Sequence, residues 1–334
     1  MKIIAPISKV EEAGVFARVG AEELFFGVVP NEWRERYGRF TTNRRGGNNL
    51  NTLAEVREVV STVHREGKRV SVAVNGATHT AEQVAYMSEL ATELAALDVD
   101  AFIVGDIQLL SVIHNLKLPT RLHVSSIAAC RNSATARLYY KLGANRIILP
   151  RHMSLREIGR LVRAVPELEF EVFVLNDGCP YEEGLCHTLH LPTELGGPIC
   201  FESFETELER IDGKPLNLAE QRNIDTNERC YSHWRWSKFS RGFSTTTAGQ
   251  PYGPCGLCAI PTLKEIGVEY IKIAGRDGNS LRKRRSLDMV REVVDLLATE
   301  NNNEEIISFA KRMRGEPDLC QDGCMCYYPE VLSS

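Results

Sequence analysis

Short apolar runs rich in β-branched residues alternate along the chain with longer segments whose apolar positions recur every three or four residues. The runs are Lys2–Ala5, Glu23–Gly27, Val70–Val74, Ala101–Val104, Arg121–Val124, Arg146–Leu149, Phe170–Leu175 and Tyr270–Ile273. Each has the length and composition of a strand. Between them, Ala81–Leu97 places Val84, Met87, Leu90, Leu94 and Leu97 on one stripe, the signature of an amphipathic helix. Gly20, Gly67, Gly143 and Gly267 each end a helical segment just ahead of a strand, where a left-handed C-cap is wanted. Strict alternation of strand and helix predicts a parallel sheet with right-handed crossovers. Eight such units predict a closed (β/α)8 TIM-like barrel, with an open doubly wound sheet as the other architecture for this alternation.

The spacing is regular except in two intervals. One, between the second and third strands, is polar and contains Thr41–Asn49; the other, between the seventh and eighth, forms a cysteine-bearing insertion over 176–268. The organisation expected is a barrel over 1–300, including that insertion, and a C-terminal helix with a Cys-rich tail over 301–334. Both long intervals leave the C-terminal ends of strands, the face on which barrels build active sites.

Composition narrows the class. Hydrophobic residues make up 43% and charged residues 25%, as in ordinary globular proteins. A net charge of −4 gives no overall pull toward nucleic acid or an anionic membrane. The first residues lack the apolar run of a signal peptide, and no stretch approaches the roughly 20 apolar residues of a membrane span. The expected location is therefore cytoplasmic, where thiols stay reduced. In that setting 10 cysteines point to metal ligation or catalysis rather than disulfides.

Cys179, Cys186, Cys200, Cys230, Cys255 and Cys258 lie in the insertion, and Cys320, Cys324 and Cys326 lie in the tail. Cys130, alone in the helix expected after the fifth strand, reads as a small buried apolar residue. Gly178, Pro180 and Gly184 favour a tight irregular turn that can aim Cys179 and Cys186 at one point, as a soft metal or an iron–sulfur cluster requires. The paired CxxC motifs of a zinc ribbon are absent; Cys255 and Cys258 form a single pair. The tail thiols can bind a second metal, reach back to Cys255 and Cys258, or act as a redox tail; spacing does not choose.

Other side chains at strand ends include Asn75, Asp106, His123, Ser125, Arg151, His152, Lys272 and Arg276. Together they predict a polar, partly cationic mouth suited to an anionic substrate, with Arg151 and Arg276 as clamps and His123 as proton carrier. Asp106 is equally a helix N-cap. The run Arg282–Arg285 reads as a solvated helix face or as a phosphate or RNA contact.

Several segments resemble the collagenase-like peptidase family U-32. The opening IIAPISKVEEAGVFARVGAEELFFG is similar to that family's first strand–helix–strand unit, and VSVAVNGATH to its third strand. HVSSIAACRNSATARLYYKLGANRIILPR resembles its fifth and sixth units, including Asn132 and the closing Leu149-Pro150-Arg151. FEVFVLNDGCPYEEGLCHTLH keeps the signature's two cysteines with six residues between them, although Pro180-Tyr181-Glu182-Glu183 replaces small and apolar residues. IKIAGR is similar to the family's closing KIEGR, with Ala274 in place of glutamate.

The closest pattern is that of the subfamily supporting oxygen-independent hydroxylation in anaerobic ubiquinone synthesis. That resemblance implies a 4Fe–4S cluster held by Cys179, Cys186, Cys200 and Cys230, with Cys255 and Cys258 as second choice. It implies hydroxylation of a ring substrate or an RNA base, by an enzyme or a subunit of one. A hetero-oligomer with a family paralogue is the expected assembly. The family name brings a second reading, a metal- or cysteine-dependent peptidase, but no HExxH helix is present. A third is a non-catalytic electron-transfer or scaffold partner, to which the extra cysteines and Ala274 lend weight.

Overall fold

The computed structural model describes residues 1–38, 42–44, 47–179, 182–185, 207–235, 245–246, 249–315, 320–321, 323 and 325–332. Its strands are β1 (Lys2–Pro6), β2 (Glu23–Gly27), β3 (Arg69–Val74), β4 (Ala101–Val104), β5 (Arg121–Val124), β6 (Arg146–Ile148), β7 (Glu169–Leu175) and β8 (Tyr270–Ile273). They close into a parallel barrel in chain order. The seam is the pairing of β1 with β8 through Lys2, Ile3 and Ile4 opposite Tyr270, Ile271 and Lys272.

Helices α1 (Val10–Val19), α3 (Leu53–Arg65), α4 (Ala81–Ala95), α5 (Ile107–Asn115), α6 (Ser133–Lys141), α7 (Leu155–Ala164), α9 (Ile260–Glu265) and α10 (Ser280–Thr299) follow the successive strands. Short α2 (Asn31–Tyr37) lies in the β2–β3 excursion, α8 (Leu218–Arg235) in the β7–β8 interval, and α11 (Asn303–Arg314) after α10. Reciprocal capping boxes start α3 (Thr52 with Glu55), α4 (Thr80 with Gln83) and α7 (Ser154 with Glu157), each satisfying two otherwise orphaned main-chain donors. The stop signals also hold. Gly20, Gly67, Gly143 and Gly267 all have positive φ, and at Gly143 a Cβ would run into the ring of His114. Only glycine meets both demands there.

The main core fills the layer between strands and helices, with Ile3, Leu24, Phe26, Val72, Phe102 and Ile147 facing outward from the barrel. The C-terminal segment belongs to that core: Ile306, Ala310, Tyr327, Tyr328 and Val331 are buried in the same cluster.

Three expectations change. Cys130 is buried, with its thiol pushed up to about 12 by desolvation, but it precedes α6, two residues ahead of the N-cap Asn132. The β7–β8 interval also contains a regular part of the barrel, the helical turn Leu257–Ala259 and α9. Arg282 and Lys283 are buried rather than displayed. Lys283 donates to Glu12 and to Ser8, both at 2.7 Å, and Arg282 donates to the Tyr252 carbonyl at 3.3 Å. Helical periodicity carries them inward, and anionic or carbonyl partners on neighbouring segments compensate their burial. Among the described residues, no helix is long and apolar enough to cross a membrane.

Candidate active site at the barrel mouth

The strand C-termini surround a cavity. Its floor is apolar because one inward residue from each of several strands reaches the same level: Phe25, Ala73, Ile103, Ile148 and Phe173. Above them stand Asn75, Ser125, Cys179 and the cations Arg44, Arg151 and Arg276, opposed by Asp177 and Glu183, while Lys272 reaches the wall from the level of Phe173. The predicted polar, partly cationic mouth is present.

The loops hold one another in place. Asn75 donates to Ser125 Oγ at 3.0 Å and accepts from the Arg44 main chain at 3.1 Å. Arg276 donates to Asn43 Oδ1 at 2.7 Å, tying the end of β8 to the β2–β3 excursion. Arg151 is committed on three sides. It donates to the Asp177 carbonyl at 2.8 Å, pairs with Glu183, and lies 3.7 Å above the Phe173 ring. Burial opposes its charge, but Glu183, then Tyr327 and Cys179, outweigh that effect and hold its pKa above the ordinary arginine value. Asp106 caps α5 through the main chains of Gln108 and Leu109, and also accepts from His79 at 3.0 Å.

Beneath the floor lies a second, charged layer. Arg146 Nη1 contacts Glu23 at 2.9 Å and Glu171 at 3.0 Å, and Lys272 Nζ contacts Glu171 at 2.6 Å. Ser71 donates to Glu23, and Arg146 stacks 3.5 Å from the Tyr270 ring centre. Glu23, His123 and Glu171 offer ligand atoms within 4.8 Å of one another. Two buried cations already balance the two carboxylates, so a metal ion would have to displace them. The arrangement is a buried ion-pair core.

His123 belongs to that lower layer, which corrects its placement at the rim. It is buried, stands 3.8 Å from Glu23, and neither ring nitrogen has a hydrogen-bond partner among the described residues. Burial, then the neighbouring Arg146, keeps its pKa well below the ordinary imidazole range despite the pull of Glu171. Arg151 and Arg276 are at the mouth as expected. Of the proposed cluster ligands, Cys179 lines the mouth cavity, whereas Cys230 is exposed on α8. Cys186, Cys200 and Cys324 lie outside the described residues.

The second-choice pair has company. Cys255, Cys258, Cys320 and Cys326 line one small cavity beside the end of β7. Burial, then repulsion by Cys255, Cys320 and Cys326, pushes the Cys258 thiol well above its ordinary range.

A family model described as Peptidase family U32 matches residues 8–327. The chain belongs to this family. The tRNA hydroxylation protein P of Helicobacter pylori strain J99 is 25% identical over 186 residues, covering 56% of this chain and 42% of that protein. The tRNA hydroxylation protein P2 of Bacillus subtilis is 29% identical over 253 residues, covering 75% of each. A 23S rRNA 5-hydroxycytidine synthase of Escherichia coli is 29% identical over 147 residues, covering 44% of this chain and 22% of that protein. The chain thus spans about two-fifths of the Helicobacter pylori relative's length.

Within this U32 chain, Ala274 lies in the cavity wall beside Lys272, so the departure from KIEGR removes a carboxylate from the mouth itself. Sequence reading also passed over Glu183, Arg44 and the lower layer. Strand parity contained a signal for the last. Glu23 alternates with Phe25, and Glu171 with Phe173, so charged residues share the inward face with the cavity floor.

Proposed function

We propose that this chain supports oxygen-independent hydroxylation of an RNA base, as an enzyme or as a subunit acting with a family paralogue. The observation that carries the reading is the mouth: an apolar floor containing Phe25 and Phe173, ringed by Arg44, Arg151 and Arg276. A nucleotide presents a flat, weakly polar base and an anionic phosphate, and this pairing of surfaces matches both. The names of the RNA-hydroxylating relatives add support.

In this proposal Cys179, Cys186, Cys200 and Cys230 hold a 4Fe–4S cluster. Cys179 fits the role, being a half-buried thiol in the cavity wall within electrostatic reach of Arg151, since a nearby cation favours the thiolate a cluster needs. When bound, the cluster supplies one-electron transfer. The chain's own residues do the rest. Arg276 and Arg44 hold phosphate, Asn75 and Ser125 offer hydrogen bonds to the base edge, and Phe25 and Phe173 exclude water from the ring. Glu183 keeps Arg151 fixed against Phe173 and the Asp177 carbonyl.

The test is nucleoside mass spectrometry of tRNA and rRNA from anaerobic cells with and without the gene. Loss of one hydroxylated nucleoside, restored by the wild-type chain but not by Cys179→Ala, is expected. An unchanged nucleoside profile would refute the reading.

A further inference from the structure

Four of the seven described cysteines converge on one small cavity, which scattered structural thiols would not do. Cys258 lies in the turn Leu257–Ala259, and Cys255, three residues earlier, forms β-bridges with Leu175 and with Cys326. Cys320 and Cys326 arrive from the C-terminal segment.

The two segments are locked together by main-chain bonds. Cys255 N–H donates to the Met325 carbonyl at 2.7 Å, and Tyr327 N–H donates to the Cys255 carbonyl at 2.9 Å. Both are anchored to β7: Gly256 N–H donates to Val174 at 2.7 Å, and the Tyr328 hydroxyl to Phe173 at 2.9 Å. The thiols are thus presented by a preorganised frame.

We propose that Cys255, Cys258, Cys320 and Cys326 bind a second inorganic centre, an iron–sulfur cluster. The site shares no ligand with the cluster proposed above and does not depend on it. All four donors are soft thiolates, which select iron–sulfur clusters or zinc. Spacing separates the two. A tetrahedral zinc holds its sulfurs about 3.8 Å apart, given Zn–S bonds near 2.3 Å. The only His, Cys, Asp and Glu group among the described residues that closes within 4.8 Å is Glu23, His123 and Glu171. No three of the four sulfurs therefore lie within 4.8 Å of one another, a spacing better suited to a cubane than to a single ion.

Charge fits as well. Four thiolates outweigh the positive core of a cubane and leave the centre anionic. Arg314 is buried in the same cavity wall, held by the Pro251 carbonyl at 2.5 Å and the Gly253 carbonyl at 2.6 Å. Binding releases the thiol protons to solvent, because the ligands are thiolates.

The experiment counts iron, acid-labile sulfide and zinc per chain in protein made under strict exclusion of air. It compares the wild type with Cys258→Ser, Cys320→Ser, Cys179→Ser and Cys230→Ser, with far-UV circular dichroism checking that each folds. Cys258→Ser and Cys320→Ser should each lose about four iron and four sulfide relative to the wild type. Cys179→Ser and Cys230→Ser leave this site intact, so each should still carry about four iron and four sulfide. That arm requires no change at the proposed ligands. Iron and sulfide unchanged in folded Cys258→Ser and Cys320→Ser would overturn the inference, as would one zinc per chain lost in both. Iron lost only at Cys179 and Cys230 would overturn it while leaving the cluster at the mouth standing.

Discussion

Lys272 donates to Glu171 across 2.6 Å between adjacent strands of the barrel, with both side chains buried. Burial lowers the lysine pKa more than the carboxylate raises it, so the pair costs desolvation that its geometry must recover. Removing one partner should therefore be expensive. Lys272→Met is expected to destabilise the fold by about 3 kcal/mol in urea unfolding, with Arg146 limiting the loss by retaining its contact with Glu171. Adding Glu171→Leu should recover part of that loss, since two apolar side chains leave no unpaired charge. A double variant less stable than Lys272→Met alone would contradict this account.

His123 makes stability depend on pH with a fixed sign. Its folded pKa lies well below the ordinary value near 6.5, because burial, then Arg146, disfavours the imidazolium. Between the folded and unfolded values the unfolded chain binds more protons, so stability rises with pH there. The contribution is complete above about pH 6.5 and is lost progressively as the pH falls below it. His123→Gln should flatten the stability difference between about pH 7.5 and about pH 5.5, measured by denaturant unfolding. An unchanged slope in that variant would assign the pH dependence to other groups.

Much of this fold was legible in the sequence, and the reasons are local. Strand bounds such as Glu23–Gly27 and Arg121–Val124 were readable because β-branched and aromatic runs end at turn residues. Helix ends were readable because a capping glycine answers a constraint set by its own neighbours. What escaped was whatever depends on distant partners. Nothing in the run Arg282–Arg285 announces that Glu12, far back in the chain, awaits Lys283. His123 was placed at the rim by its position near a strand end, but side-chain parity turns it into the interior. The meeting of Cys255 and Cys258 with the tail was open as one of three options, because only tertiary folding brings Met325 and Cys326 alongside Cys255.

Gly27 provides a test of Arg276 that leaves the guanidinium in place. A Cβ at Gly27 would lie 2.5 Å from Arg276 Nη1 and 2.7 Å from Asn43 Nδ2, and would also collide with Asn49. Gly27→Ala should push Arg276 off its hold on Asn43 and weaken RNA binding. Arg276→Ala should weaken it by deleting the charge. The second removes the phosphate contact outright and the first only displaces it, so Arg276→Ala should reduce the slope of log affinity against log salt the more, by about 0.7 for a single-stranded substrate. Fluorescence anisotropy of labelled tRNA across a salt series reads both effects. Equal affinity for wild type and Arg276→Ala would remove Arg276 from the binding surface.

Glu183 should act in the opposite direction. Its carboxylate neutralises Arg151 within the mouth, so part of the local positive charge is withheld from an anionic ligand. Glu183→Gln keeps a hydrogen-bond acceptor for the guanidinium but removes the negative charge. Arg151 remains held by the Asp177 carbonyl and by Phe173, so the structural loss should stay near about 1–3 kcal/mol, below that of breaking a wholly buried pair. The exposed surplus charge should tighten tRNA binding at low salt and steepen its salt dependence by about 0.7. Arg151→Ala should flatten it. If Glu183→Gln weakens binding at every salt concentration, the carboxylate contacts the ligand itself, and the clamp belongs to Glu183 rather than to Arg151.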